Sequence, residues 1–224
     1  MLPNLPIYLP IFFGLITLLT IIWFYLATKS KTALLLIVIW TALQSVLGLT
    51  GFYQVTQSIP PRIIACGIFP AVVFIIICFS TTRGRAFIDS IELKTLTYLH
   101  SIRIFVEIVL FLLFHYGVVS IYMTFEGTNF DILAGLSAPL IGYLAFRASG
   151  LNKKLLLWWN VVCTLLLFNV VITAALAFPS PFQQLAFDQP NIAILYFPFN
   201  LLPTVVVPIV FFSHFVAIRQ LIKK

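Results

Sequence analysis

The chain alternates between long apolar stretches and short polar connections, and this pattern predicts seven transmembrane helices. A helix that crosses the hydrocarbon core of a bilayer needs about 20 predominantly apolar residues. No connection is long enough for a separate domain, so we expect an all-α integral membrane protein in which residues 1–224 form one seven-helix bundle with short loops. The predicted spans are residues 8–27, 33–53, 63–80, 96–119, 132–146, 155–178 and 192–218.

The composition supports the same class of protein. Hydrophobic residues make up 62% of the chain and charged residues 8%, and the mean hydropathy is +1.12. Soluble domains carry about 25% charged residues. The net charge of +7 raises the question of nucleic acid, but the basic residues lie in short clusters between apolar stretches, as an orientation signal does. We expect a multi-pass protein of the cell membrane, surrounded by the lipid bilayer, with no nucleic-acid partner; a homo-oligomer is left open.

The distribution of basic residues predicts an outer N-terminus and a cytoplasmic C-terminus. Cytoplasmic loops are enriched in Lys and Arg. With this orientation, Arg62 alone falls in an outer loop and Arg103 falls within a span. No basic residue precedes the first span, so we expect an uncleaved helix and not a signal peptide. The remaining basic residues fall on the cytoplasmic side: Lys29, Lys31, Arg83, Arg85, Lys94, Arg147, Lys153, Lys154, Arg219, Lys223 and Lys224.

The fourth predicted span carries a stripe of ionisable residues. His100, Arg103 and Glu107 fall within about 60° of one another on a helix that turns about 100° per residue. Ionisable residues are costly against lipid and mark functional sites in membrane proteins. The stripe is therefore expected to face other helices or a water-filled cavity.

Polar residues of other predicted spans are candidates for the same site. We expect a polar pocket open to the cytoplasm between spans 2, 4, 6 and 7, with Gln44 and Glu107 at its floor. A structural alternative is that Arg103 and Glu107, four residues apart, neutralise each other. The candidate ligand-binding residues are His100, Arg103, Glu107, His214, Gln44, Asn160, Asn169 and Asn200.

A second group of candidates lies in the predicted outer loops. Three carboxylates with almost no neighbouring base give this face a negative potential that attracts cations. The alternative is ordinary solvated loops, in which Asp131 caps the fifth span. The outer-mouth candidates are His115, Glu126, Asp131 and Asp188.

Metal binding has limited support from the sequence. His100 and His214 are expected at similar depth, and imidazole binds metals and haem. A tetrahedral zinc site needs three or four protein ligands, however. We predict no metal or other cofactor, and this histidine pair is the remaining candidate for metal or haem.

Small residues and prolines predict where helices approach closely or bend. Gly135, Ala138, Gly142 and Ala145 form a small face on the fifth span, which indicates a helix at the centre of the bundle. The last span contains three prolines, which free backbone carbonyls, among them that of Thr204. Residues 81–94 are expected to form a short interfacial helix.

These patterns favour a small-molecule transporter or a ligand-binding membrane protein, whose ligand is an unidentified small molecule or lipid. One alternative is an intramembrane enzyme, including a metal-assisted hydrolase, with Glu107 as acid or base and His100 or His214 as a second group. Another is a structural or partner subunit of a membrane complex. The sequence assigns no catalytic residue.

Overall fold

The computed structural model describes residue 2, residues 5–147 and residues 150–223, and it shows a helical chain. Lys224, counted above among the cytoplasmic charges, lies outside the described residues. Two π-helical turns, Ile64–Ile68 and Leu202–Val206, precede α3 and α9, and a two-residue strand pair follows α7. The helices are α1 (Tyr8–Thr28), α2 (Lys31–Leu49), α3 (Phe69–Ser80), α4 (Thr82–Ser90), α5 (Leu93–Leu99), α6 (Ile102–His115), α7 (Ile132–Ala145), α8 (Lys153–Ala177) and α9 (Val207–Ile222).

The helix lengths are compatible with a protein embedded in a membrane. Within the described residues, five helical segments are long and apolar enough to cross a bilayer, or six if a bent pair counts as one span. That pair is Ile64–Ser80 with Thr82–Ser90, bent by 90°. Helix α7 is apolar but has only 14 residues. The five segments are Tyr8–Thr28, Lys31–Leu49, Leu93–His115, Lys153–Ala177 and Leu202–Ile222.

Three predicted spans extend beyond the helices observed; one is the fourth, which was expected to reach residue 119 and ends at His115. The second, expected to reach residue 53, ends at Leu49, because the chain turns at Gly51 with φ of +73°. The last, expected from residue 192, becomes continuously helical only from Leu202. Pro198 lies in the irregular part, where a residue without N–H cannot extend a helix.

Much of the outer surface is apolar. On α2 only Gln44 and Gly48 are buried, and side chains such as Leu35 are 59% exposed. Helix α3 is similar, with Phe74 51% exposed and Cys78 its one buried residue. Large exposed apolar patches are rare on soluble monomers, so these helices are suited to contact lipid.

Helix α7 packs through its small face, as predicted, but it is not central. A Cβ on Gly135 would lie 2.9 Å from the backbone nitrogen of Ile104, so only glycine permits this approach to α6. The opposite face of α7 is open, with Leu140 58% and Tyr143 64% exposed. The prediction of a central helix is wrong because α7 has a small face on one side only.

The helix expected between residues 81 and 94 is present as α4. Thr81 caps it by accepting a hydrogen bond from the Gly84 nitrogen at 3.2 Å. Asp89 on α4 forms ion pairs with Lys223 at 2.6 Å and Arg219 at 3.3 Å. These contacts attach the bent helix to the end of α9.

Candidate functional site

A buried ion pair links α6 to the start of α7. The Nε of Arg103 donates to Oδ2 of Asp131 at 2.6 Å, and its Nη2 donates to Oδ1 of the same carboxylate. Their side chains are 3% and 7% exposed. Bidentate pairs of this kind are strong and fix the relative orientation of both groups. Arg103 therefore anchors the start of α7 inside the bundle.

Two histidines extend this pair towards α8. Nη1 of Arg103 lies 3.0 Å from Nε2 of His214, and Nδ1 of His214 lies 2.8 Å from Oδ1 of Asn160. Since a guanidinium only donates hydrogen bonds, Nε2 of His214 accepts and its Nδ1 carries the proton. The His100 ring stacks on His214 with centroids 3.9 Å apart. We call His100, Arg103, Asp131, Asn160 and His214 the polar network.

One fully buried atom of the polar network has no hydrogen-bond partner among the described residues. His100 is 1% exposed, and its Nδ1 forms no hydrogen bond with any residue that the structure describes. Its ring is held by His214 on one side and by the edge of Trp159, with centroids 5.4 Å apart. The network thus contains one buried nitrogen that is available to a further polar group.

Glu107 lies on the same helix as Arg103 but has a different partner. Both of its carboxylate oxygens are 2.8 Å from Nδ2 of Asn129, and Oδ1 of Asn129 accepts from the Asp131 nitrogen at 2.9 Å. The structural alternative, in which Arg103 and Glu107 pair with each other, is wrong, because the guanidinium forms its ion pair with Asp131. No hydrogen bond among the described residues joins Glu107 to a histidine. The structure therefore does not show the Glu107–histidine pair on which the enzyme alternative depends.

Three polar residues of the segment before α7 fold into the protein, although the segment was expected in an outer loop; Phe125, Glu126, Thr128 and Phe130 remain exposed. Thr124, Asn129 and Asp131 are 0%, 0% and 5% exposed. Asp131 also makes no side-chain capping hydrogen bond to α7, because its oxygens are used by Arg103. The sequence predicted Asp131 at the outer surface, whereas its side chain is buried inside the protein. An available signal was the single arginine within a span, which requires a carboxylate nearby.

The stripe is buried as predicted, but the candidates divide into two sites. His100, Arg103, Asn160 and His214 meet in the polar network. Gln44 lies elsewhere and donates from Nε2 to the Cys66 carbonyl at 3.1 Å. Nδ2 of Asn200 donates to the Gln44 carbonyl at 2.8 Å. Gln44 therefore does not share a site with the histidines, contrary to the expected common pocket.

The remaining candidates lie on the exposed surface. Nδ2 of Asn169 donates to the Thr128 carbonyl at 2.9 Å. The structure brings none of these candidates into the polar network, and their roles stay predictions. The exposed candidates are His115, Glu126, Asn169 and Asp188.

The structure gives the histidine pair little capacity for metal. Among the described residues, no three His, Cys, Asp or Glu side chains are placed to hold a metal ion. Both ring nitrogens of His214 are engaged by Arg103 and Asn160. In this conformation His214 has no nitrogen left for a metal or haem iron.

The fold and the site define an all-helical protein with apolar spans and a buried polar network. The chain belongs to the family described as Domain of unknown function (DUF8737), whose match covers residues 60–222. All five residues of the polar network lie within this match. No curated protein and no solved structure matches the chain.

Proposed function

We propose that the protein is a small-molecule transporter or ligand-binding protein of the cell membrane, and that its ligand binds at the polar network. The observation that carries this proposal is the unpartnered Nδ1 of His100, buried beside the Arg103–Asp131 pair. An unsatisfied buried polar group costs about 1–3 kcal/mol. A polar ligand that hydrogen-bonds this nitrogen removes that cost.

The same network offers a ligand both signs of charge. The Arg103 guanidinium and the Asp131 carboxylate come from different elements, α6 and the segment before α7. An anionic ligand that binds Arg103 displaces Asp131, and a cationic ligand that binds Asp131 displaces Arg103. Either exchange separates α6 from the segment before α7. Such a movement is the type of opening that a transporter needs at a site inside the bilayer.

The proposal includes seven spans with the N-terminus outside. Helix α7 has 14 residues and rises about 21 Å, less than the roughly 30 Å of a hydrocarbon core. Within the segment before it, Thr124, Asn129 and Asp131 are buried, and irregular backbone is tolerated at membrane depth where protein surrounds it. The ion pair of Asp131 with Arg103 therefore supports α7 as a short additional span.

A ligand screen on matched histidine variants tests this function. The purified protein is screened against charged and polar metabolites by thermal shift. His100→Phe keeps an aromatic ring against His214 and Trp159 but removes the free nitrogen, and His115→Phe makes the same change at an exposed site. We expect compounds that stabilise the parent and His115→Phe but fail to stabilise His100→Phe.

Two results would oppose the proposal: no compound stabilises the parent, or His100→Phe responds as the parent does. For each compound that binds, uptake into vesicles containing the parent distinguishes a transporter from a receptor. If the protein is a transporter, the parent should take up the compound and His100→Phe should abolish this uptake. If it is a receptor, vesicles containing the parent should take up nothing.

A further inference from the structure

A large apolar cleft opens on the side of the molecule formed by α2 and α3. Its volume is about 740 Å³, within the range of about 300–1,000 Å³ that accommodates small ligands. Leu36 and Trp40 of α2 line one wall and Phe74 of α3 lines the other. Pro208 and Phe212 of α9 also line it. The ligand portion that fills this cleft must be apolar.

The cleft is open to the surroundings of the helices. Among the residues that line it, Leu36 is 48% exposed, Ile39 57% and Phe74 51%. These side chains belong to the apolar outer surface that is suited to lipid. A molecule already dissolved in the bilayer can therefore enter from the side without crossing water.

One part of the cleft lining is basic and polar. Arg83, at the start of α4, lines the cleft together with Ser30 and Thr32 near the start of α2. Arg83 is exposed and makes no hydrogen bond or ion pair with the described part of the chain. The guanidinium of Arg85, by contrast, donates to the carbonyls of Phe79 at 2.9 Å and Ser80 at 3.0 Å. Arg83 is thus the arginine here that is available to an anion.

We propose that this cleft binds an acidic phospholipid, with an acyl chain between α2 and α3 and the headgroup phosphate at Arg83. The apolar walls require a hydrocarbon chain, and the cation requires an anion at one end of that chain. A bilayer supplies both in one molecule.

This site is separate from the polar network. None of the five network residues lines the cleft. A failure to bind lipid therefore does not count against ligand binding at His100, and the two proposals fail independently.

Native mass spectrometry of the full-length purified protein tests the lipid site. The protein is titrated with phosphatidylglycerol and with phosphatidylcholine of identical chains. Both lipids contain a phosphate, but the choline cation cancels the negative charge of phosphatidylcholine. We expect phosphatidylglycerol to bind about fivefold more tightly, the contribution of one basic residue at an anionic surface. Arg83→Gln should remove this preference. Lys154→Gln removes an exposed charge that does not line the cleft and should keep the preference.

A second pair of variants tests the place of the acyl chain. Ala71→Phe adds a ring to the cleft lining, whereas Ala42→Phe adds the same ring to an exposed position of α2 outside the lining. Ala71→Phe should weaken binding of both lipids, and Ala42→Phe should bind as the parent does. The proposal is overturned if the parent does not distinguish the two lipids, if Arg83→Gln keeps the preference, or if Ala71→Phe binds as the parent does.

Discussion

At the scale of single residues, the Arg103–Asp131 pair is expected to dominate the energetics of the polar network. Asp131→Leu leaves the guanidinium buried without its ion-pair partner, since the oxygens of Glu107 are hydrogen-bonded by Asn129. Removing one member of a buried pair costs about 3–5 kcal/mol. We expect a loss of stability of this size in chemical unfolding in detergent. The double variant Arg103→Leu/Asp131→Leu should recover most of it, because no charge is then stranded.

An exposed carboxylate provides the control for this experiment. Glu126→Leu removes the same charge from a residue that forms no ion pair in the described part of the chain. It should change stability by less than about 1 kcal/mol. If Asp131→Leu behaves like Glu126→Leu, or if the double variant loses the sum of the single losses, the pair does not stabilise α7 as described.

The sequence predicted the burial of these residues but not their pairing. The helical spacing of His100, Arg103 and Glu107 predicts one common face, and all three are 3% exposed or less. Spacing identifies partners only within one helix, which suggested Glu107 for Arg103. The true partner, Asp131, is 28 residues away in an irregular segment. The position of Asp131 depends on how the irregular segment folds, and the spacing of residues along a helix does not predict that fold.

At the scale of elements, α2 satisfies backbone groups that two prolines leave free. A proline cannot donate to the carbonyl four residues before it. For Pro70 that carbonyl belongs to Cys66, and it accepts from Nε2 of Gln44. For Pro208 it belongs to Thr204, and it accepts from Nε1 of Trp40 at 2.8 Å. Gln44 and Trp40 are four residues apart, so one face of α2 serves both bends.

Replacement of Trp40 tests this arrangement. Trp40→Phe keeps an aromatic ring but removes the donor to Thr204. An unsatisfied buried carbonyl costs about 1–3 kcal/mol, so we expect a lower thermal stability. Trp158→Phe is the matched control because Trp158 is 68% exposed and outside this contact. Equal melting temperatures for the two variants would show that the Trp40 hydrogen bond contributes little.

The attachment of α4 to α9 should depend on pH. The hydrogen bond from Lys223, with the charges of Lys223 and Arg219, lowers the pKa of Asp89 below its ordinary value of 3.8. A carboxylate whose pKa is lowered in the folded state stabilises the fold above its ordinary value. This contribution is lost as the pH falls through the lower folded-state pKa.

The pH dependence of melting tests this attachment. The parent should be more stable than Asp89→Asn near neutral pH. The difference should shrink below about pH 4, where Asp89 of the unfolded chain begins to take up a proton. Glu126→Gln, which removes an exposed carboxylate, should differ little from the parent at any pH. A difference for Asp89→Asn that stays constant down to about pH 2 would contradict the assignment.

At the scale of the whole molecule, the length of the apolar stretches predicted the helical class, whereas the polarity of the connections led to a wrong prediction of their exposure. Five long helices lie close to predicted spans because the hydrocarbon thickness sets their length. The segment from Thr124 to Asp131 was expected in solvent because it is polar. Its Asn129 and Asp131 are instead buried against Glu107 and Arg103, whereas Glu126 and Thr128 are exposed. Polarity alone does not show whether water or protein supplies the partners.

Cysteine labelling in intact cells tests the proposed orientation. The basic residues are concentrated on one side of the predicted spans, which favours an outer N-terminus. Gln184 lies in the proposed outer connection between α8 and α9, and Ser90 ends α4 on the proposed cytoplasmic side; both are exposed. With an impermeant thiol reagent, Gln184→Cys should react in intact cells. Ser90→Cys should react only after the membrane is opened.

The unmodified chain supplies the background for this measurement. Cys78 and Cys163 are buried. Cys66 is exposed, but it lies on a π-helical turn with apolar neighbours, a surface suited to lipid, so the parent should label weakly. Asn129 is unsuitable as an outer reporter because it is fully buried against Glu107. Labelling of Ser90→Cys in intact cells with none at Gln184→Cys would reverse the orientation and place Arg83 in the outer leaflet. Labelling at both sites in intact cells would put an even number of spans between residues 90 and 184, where the proposed order has three.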